Sequence, residues 1–533
     1  MVRRALYCDG SSGAYAVQPA AKEPPSNRKR FDRELRSAAP HFPPYSLPGD
    51  ALIEDLRGID IMREVHRSQL QLGELAIDRI WINPKSRDDI PAVLKGLQHI
   101  WCDEALREQL YALLDEHILP EADRTVGRPG MDLWQILVLG VLKQGLGCDF
   151  DRLHELTNHH DTIRAFLGHS DFGDTTHYEY QTVVDNVSLL TPELLSAVGR
   201  LVVESGHKVA KKKPGEPLRG RCDSFVVETD VHYPTDVSLL WDAVRCLVRE
   251  TGRAAEQYGM RGWRQWRHLT REVKKLFNKV RSTRRAKRHP ERVEAYVERC
   301  RALVERAEST LNALREQGAA EFRCRSIAGF VAHARRQIDH VERRLLREET
   351  IPHDEKVFSI FEEHTRWISK GKAGTPVELG VPVALIEDQY QFILHHKILW
   401  EGEDVDVAVP MVQEAQALYP ELRACSFDRG FHSPANRVRL DGLLDVNALP
   451  GKGYLSKANQ EREAEESFVA ARRAHPAVES AINGLEHRGL DRVRSHGADG
   501  FARTVALSVL AANLHRIGLL LQKQERKRRQ RVA

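Results

Sequence analysis

The spacing of apolar residues changes period three times along the 533 residues, and this restricts the fold more than any single motif does. Between 93 and 205 the spacing is helical. Val93, Leu94, Leu97, Ile100 and Trp101 form one stripe, and Leu106, Leu110, Leu113 and Leu114 form the next. The segment "GRPGM" breaks the chain before Asp132, which is placed to cap the helix "LWQILVLGVLKQGLG"; that helix is apolar nearly all round, so burial is expected. Short helical segments follow in "DFDRLHELTNHH", "DTIRAFLGH", "YQTVVDNVSLL" and "TPELLSAVGRLVVESG". From 221 the pattern is that of strands: "SFVV", then "VPVALIEDQYQFILHHKILW" as two strands joined at Glu387 to Gln389, then "ACSF" and "VNAL". One helix containing "VQEAQALY" precedes "ACSF", and a longer one, "HPAVESAINGLEHRG", follows "VNAL". A mixed α/β sheet is predicted.

Residues of about 243 to 350 separate the first strand from the next and are charged and helical. Within them Val293, Tyr296, Cys300, Leu303, Ala307, Leu311 and Leu314 step by three or four, a coiled-coil-like seam. A helical hairpin projecting from the sheet is expected. The basic segment 261–288 precedes the seam and holds twelve Lys/Arg against one acid, Glu272, and the C-terminal "KQERKRRQRVA" is basic again. A net charge of +4 implies no partner by itself; such blocks often just solvate a helix or end a chain, but two of them in one protein raise the expectation of a polyanionic partner.

A chain of this length exceeds what one core usually organises, so two or three domains are expected. The eight cysteines are scattered singly with no CxxC pair, which argues against a zinc ribbon or a disulfide framework and suits a cytosolic protein. Apolar runs fall below the ~20 residues that span a bilayer, and no signal-peptide pattern is evident. Residues 1–61 carry seven of the 24 prolines with little periodicity. They are expected to form a flexible arm or a translated upstream extension, with Met62 as the true start. The several short helices of 62–210 suit a helix-turn-helix type DNA-binding unit, and equally a plain bundle or a dimerisation module.

Acids at strand ends are where metal-dependent phosphoryl transfer would find its ligands, because Mg²⁺ takes hard oxygen donors converging from different elements. Asp223 begins the strand run in "RCDSFVV". Asp428 follows the strand in "RACSFDRGFHSP" and precedes a turn at Arg429–Gly430, the carboxyl edge where open α/β sheets often bind ligands. A third acid comes from "HPAVESAINGLEHRG": Glu479 in the first turn, or Glu486 two turns on and on the same face. Strand-terminal aspartates also commonly cap turns, so spacing alone leaves each of these open. Asp236, with Pro234 and Thr235, reads as a cap for "VSLLWDAVRCLV", and Asp242 falls inside that helix.

The string "DSFVVETDVHYPTDVSLLWDAVR" resembles a segment of bacterial insertion-sequence transposases of the DDE type, in the ISNCY-like group. "GRPGMDLWQILVLGVLKQGLGCDFDRLHELTNHH", "HDEKVFSIFEEHTRWISKGKAGTPVELGVPV", "SFDRGFHSPAN" and "HPAVESAINGLEHRGLDRVRSHGADGF" resemble further blocks of that group, in the same order, over about Met62 to Leu521. The resemblance implies an RNase H-like mixed-sheet core in 215–242 and 351–521, an N-terminal all-helical DNA-binding domain in 62–210, a basic helical insertion in 243–350 after the first core strand, and a basic tail in 522–533. It implies a triad of Asp223, Asp428 and Glu479 holding two Mg²⁺ ions, with Mn²⁺ as a substitute. Asp230 is the reserve for the first position and Glu228 ranks below it.

The activity implied is hydrolysis at the ends of an inserted element to free 3′-OH groups, then attack of those groups on target DNA. Double-stranded DNA, both terminal inverted repeats and target, is the implied partner. A homodimer or higher synaptic assembly follows from pairing two ends, in the cytoplasm at the nucleoid and with no membrane. A metal-dependent nuclease of the same fold, or a non-catalytic DNA-binding descendant, are the competing readings. The sequence departs from the Tyr-Arg-Glu-Lys signature many such enzymes carry: Arg472 and His475 hold the Tyr and Arg slots and Glu486 the Lys slot. His475, Arg488 and Arg492 are expected to contact phosphate instead, with Arg264, Arg267, Lys274, Lys275 and Lys279 of the basic block adding further contacts.

Overall fold

In a computed structural model, residues 61–62, 70, 73–118, 128–170, 174–283, 289–369 and 377–532 are described. The arm expected over residues 1–60 lies outside them, as do residues 284–288 of the basic block. Seven strands form one mixed sheet: β1 (Leu218–Thr229), β2 (Arg366–Ser369), β3 (Val377–Glu387), β4 (Ile393–Ile398), β5 (Leu422–Phe427), β6 (Val446–Ala448) and β7 (Arg492–Val493). β1 is central and runs antiparallel to β3. The far edge of β3 takes β2 beside its first residues and β4 beside its last, both antiparallel. On its other side β1 pairs in parallel with β5 along its first half and with β7 at its end, and β5 pairs in parallel with β6.

Strand alternation divides β1 between two cores. Leu218 and Cys222 face a large one, and Phe225 and Val227 face a smaller one on the opposite side. The helices packed into the large core are α1 (Ile90–Cys102), α2 (Glu104–His117), α3 (Leu133–Gly145), α4 (Phe150–His159), α5 (Asp161–Phe166), α6 (Tyr180–Ser188) and α7 (Pro192–Val209). The helices of 90–209 therefore share their core with the sheet rather than folding around one of their own. All thirteen residues of α3 are buried, as its all-round apolar sequence predicts. Asp132 caps it in a reciprocal box: the Trp134 N–H donates to Asp132 Oδ1 at 2.7 Å and the Asp132 N–H to Gln135 Oε1 at 3.1 Å.

The insertion is larger than the hairpin its seam suggested. α8 (Asp236–Gln257), α9 (Trp266–Arg281), α10 (Pro290–Glu316) and α11 (Glu321–Val341) close around a separate core. Every seam residue of α10 is buried, but one seam cannot bury itself. The stripe Leu240, Val244 and Leu247 of α8, Val273 and Phe277 of α9, and Ile327, Val331 and Ile338 of α11 complete it. Thr235, not Asp236, caps α8: its hydroxyl accepts from the Ser238 N–H at 3.1 Å, while Asp236 begins the helix and pairs with Arg344 at 2.8 Å.

After β4 come α12 (Asp404–Leu418), α13 (Pro434–Asp441), α14 (Lys457–Ala464), α15 (Glu466–Ala474), α16 (Val478–Leu485) and α17 (Gly497–Val532). α12 lies on the large-core face, and α16 covers the opposite face, where Val478, Ile482 and Leu485 meet Phe225, Val227 and Leu385. The single helix expected over 475–489 is broken. Gly489 has φ +89° and Arg488 is non-helical, so the helical run that starts in α16 stops two residues beyond Glu486, whose own backbone is still helical. α17 joins both cores, through Leu507, Leu510 and Leu514 on one side and Phe501, Val505 and Val509 on the other. By length and composition α17 could span a bilayer, but these apolar residues are buried inside the protein.

Candidate active site

The register between β1 and β5 brings two of the three acids together. Their last paired residues are Cys222 and Phe427, in parallel. One residue further along each chain stand Asp223 and Asp428. Neighbouring strands lie about 4.8 Å apart, and paired positions of parallel strands point to the same side. Cys222 and Phe427 both face the large core, so the next residue on each turns to the opposite face, where α16 lies. Glu479 follows buried Val478 in the first turn of that helix. Asp223 is not at the strand's start, as its sequence suggested, but midway along β1, beside the point where β5 ends.

The charges interact. The Asp223 carboxyl is pushed up to about 6, foremost by burial and then by the negative charges of Asp428, Glu479 and Asp404. The Ser224 N–H, donating to Asp223 Oδ1 at 2.8 Å, opposes the shift. Asp404, the first residue of α12, is a fourth carboxylate that sequence reasoning missed. Burial raises its pKa, a hydrogen bond from the Ser224 side chain lowers it, and Asp428 raises it. Its Oδ2 stands 2.9 Å from where a Cβ on Gly430 would sit, so a larger residue at 430 would displace this carboxylate. Nothing in "GEDVDVAVP" distinguishes Asp404 from its neighbours, because the flanking acids Glu403 and Asp406 form an ordinary capping box.

Of the residues expected to touch phosphate near the acids, two are buried and the third is ion-paired away from them. His475 is buried with Nδ1 3.0 Å from Ser426 Oγ, and burial pushes its pKa down to about 4, so the ring is neutral near pH 7. It ties β5 to the approach of α16. Arg472 donates to the Phe427 carbonyl at the same strand end. Arg488 is buried too, donating to the Gly484 carbonyl at 2.7 Å and closing the end of α16. Arg492 pairs with Glu228 at 2.9 Å and with Asp230 at 3.7 Å. Glu228, the register partner of Arg492, sits at the far end of β1, five residues or about 17 Å from Asp223, and Asp230 lies just past that end. Asp230 and Glu228 therefore leave the candidate site, and Asp242 is taken up by His232 at 2.5 Å and Arg245 at 2.8 Å.

Arg264, Arg267, Lys274, Lys275 and Lys279 are all exposed, while Val273, Phe277 and Val280 of the same segment point into the insertion's own core. The guanidinium of Arg267 lies 4.8 Å from the Trp266 ring centre. These side chains belong to the insertion and not to the acid cluster.

Among the described residues, no three His, Cys, Asp or Glu side chains stand at the spacing that holds a single metal ion. The donor set of Asp223, Asp428, Glu479 and Asp404 nonetheless fits a hard divalent cation in kind, being carboxylate throughout. Asp428 and Glu479 are exposed, so their side chains have rotamer freedom that Asp223 lacks. No protein-family model, curated protein or solved structure matches this chain.

The raised pKa of Asp223 has a consequence for stability. The folded carboxyl, at about 6, binds its proton more tightly than the unfolded one, at 3.8. The stability this contributes is present at low pH and is lost as pH rises from about 4 through about 6. Asp223→Asn removes that loss. In the presence of chelator at pH 7.5 the variant is expected to melt above the wild type, with the gap closing at pH 4. A wild-type melting temperature equal to the variant's at both values would show that folding does not raise the Asp223 pKa.

Proposed function

We propose that this chain is a DDE-type DNA transposase, which cleaves DNA at the ends of an inserted element and joins the freed 3′-OH groups to target DNA. The observation that carries this reading is the shared face of Asp223 and Asp428 on parallel neighbours β1 and β5, with Glu479 on the helix covering that face. Two acids on adjacent strands and a third on a later helix is the arrangement that the resemblance to ISNCY-like transposases implies for an RNase H-like core. The strand order β4-β3-β1-β5-β6, with an antiparallel hairpin on one side and parallel strands on the other, agrees with that core.

Asp223, Asp428 and Glu479 would hold Mg²⁺ or Mn²⁺, which supply Lewis acidity to attacking and leaving oxygens of an in-line displacement at phosphorus. The rest of the chain's contribution is positional. His475 against Ser426, and Arg472 against the Phe427 carbonyl, fix the end of β5 from which Asp428 projects. The small residue at 430 leaves room for Asp404 beside it. End recognition is assigned to the region 125–205; α3 lies wholly in the core, so the contacts would come from the helices after it. A homodimer or higher synaptic assembly working at the nucleoid would bring two ends together.

The exposed cations of α9, with Arg264 just before it, add sequence-independent grip on phosphate. Each phosphate deprived of its cation lowers the slope of log K against log salt by about 0.9. Replacing Arg264, Lys274, Lys275 and Lys279 by glutamine is expected to flatten that slope by about 2 to 4, read by fluorescence anisotropy across a salt series. An unchanged slope would reduce the face to a solvated helix surface.

The test of the function uses labelled DNA carrying the sequences that flank the gene, a supercoiled plasmid as target, and Mg²⁺ or Mn²⁺. Covalent joining of labelled 3′ ends to the plasmid is the expected result. Cleavage without joining would favour the nuclease reading, and DNA binding with neither would favour a non-catalytic descendant.

A further inference from the structure

We propose that Tyr454 stacks on an unpaired DNA base beside the reacting phosphate, an inference that rests on the reading of the acid cluster as a DNA-processing site. Tyr454 is 97% exposed, the most exposed of the large apolar and aromatic side chains described. An aromatic ring held almost wholly in water makes no packing contribution to the fold, so its place calls for a partner.

The loop that carries it is anchored rather than loose. It leaves β6 after Ala448. Arg462 donates to the Asn447 carbonyl at 2.6 Å and to the Leu449 carbonyl at 3.3 Å, and the Gly451 N–H donates to Glu463 Oε1 at 2.8 Å. Gly453, at φ +74°, makes the turn immediately before the tyrosine. Two residues before Tyr454, the Lys452 ammonium donates to the Gly430 carbonyl at 3.3 Å. Gly430 is two residues beyond Asp428 and in contact range of Asp404. The Cα atoms of Lys452 and Tyr454 can be at most about 7 Å apart, so the ring is held within about 20 Å of the Gly430 carbonyl, on the side of the sheet end that carries Asp428.

Exposed cations flank it in the loop, Lys452 and Lys457, and Arg429 precedes the residue that Lys452 contacts. Aromatic rings set among cations are how proteins hold single-stranded nucleic acid, the cations tracking the backbone and the ring accepting any base on its π-face. A ring beside a site that cuts and joins strands would hold the terminal base out of the duplex and fix the adjacent phosphodiester.

The test uses the full chain carrying Asp223→Asn, so that DNA stays intact, and two probes: a blunt duplex, and the same duplex with a short overhang whose first unpaired base is 2-aminopurine. Tyr454→Ala is expected to weaken binding of the overhang probe about tenfold or more and to abolish the binding-induced change in 2-aminopurine emission, while blunt-duplex affinity changes less than about twofold. Tyr454→Phe keeps the ring and is expected to behave as the parent. Because the side chain is solvated, both variants should melt with the parent, which separates the result from misfolding. Overhang affinity and emission unchanged in Tyr454→Ala would overturn the stacking role alone. A changed oligomeric state in Tyr454→Ala with DNA binding intact would overturn it in favour of a contact between copies of the chain. A parent protein that binds neither probe would overturn both this inference and the DNA-processing reading.

Discussion

Asp223→Asn is expected to lower DNA end cleavage and joining at least about a thousandfold while changing DNA affinity less than about twofold. The asparagine keeps the size of the side chain and removes one anionic oxygen donor. A bound cation contributes several kcal/mol of charge stabilisation at the reacting phosphorus, and about 4 kcal/mol corresponds to three decades in rate. DNA affinity comes from cations elsewhere on the surface, so it should survive. The control is Asp230→Asn, seven residues further along the chain and one residue past the end of β1. Asp230 is exposed and paired with Arg492 at the far end of β1, and its loss should leave cleavage within about twofold of wild type. Gel assays of labelled ends, with binding measured in parallel, read both quantities. A normal cleavage rate in Asp223→Asn with a collapsed one in Asp230→Asn would reverse the assignment of the first acid.

The second large effect is on stability. Gly518→Leu is expected to cost about 3 kcal/mol or more, because α1 and α17 cross backbone to backbone. A Cβ on Gly518 would stand 1.9 Å from the Ala92 carbonyl oxygen, and one on Gly96 would stand 2.2 Å from that of Leu514. The obstructing atoms are main-chain oxygens inside helices, so relief requires moving a whole helix. α17 also bridges the two cores, one of which supports α16, so displacing it should disturb the acid site as well. Gly199→Ala in α7 is the counterpart: no atom lies within 4 Å of the added Cβ, and the change should stabilise by about 0.5–1 kcal/mol through helix propensity. Urea unfolding of the two variants should shift the midpoint in opposite directions. Equal midpoints would mean that the helices do not cross as described.

Helical periodicity carried most of what was legible beforehand. The buried α3, its cap at Asp132 and the seam of α10 were all readable, because each depends on residues close in sequence. β1 was underestimated: "SFVV" is only the middle of a twelve-residue strand. Its first half carries Arg219, Gly220 and Arg221, polar or small residues that conceal a strand. Arg221 is tolerated there because it meets Glu387 on β3 at 2.7 Å, a partner 166 positions away that no local pattern reveals.

The site was legible in part for the same reason. Asp223, Asp428 and Glu479 could be picked out, but their common face follows from strand register, which depends on the large core pulling Cys222 and Phe427 to its side. His475, Arg488 and Arg492 looked available for phosphate because spacing carries no information about burial or ion pairing. Two are buried and the third is bound to Glu228. Asp404 was invisible because it sits between two acids that do nothing more than cap α12.

The most direct measurement is Mn²⁺ binding followed by electron paramagnetic resonance, on the wild type and on Asp223→Asn, Asp428→Asn and Glu479→Gln, each with and without DNA. The expected result is tight Mn²⁺ binding by the wild type that each of the three single substitutions weakens about tenfold or more, although the acids come from β1, the end of β5 and α16. Mn²⁺ affinity unchanged across all three variants, in the presence of DNA, would contradict a shared cation site and with it the proposed chemistry.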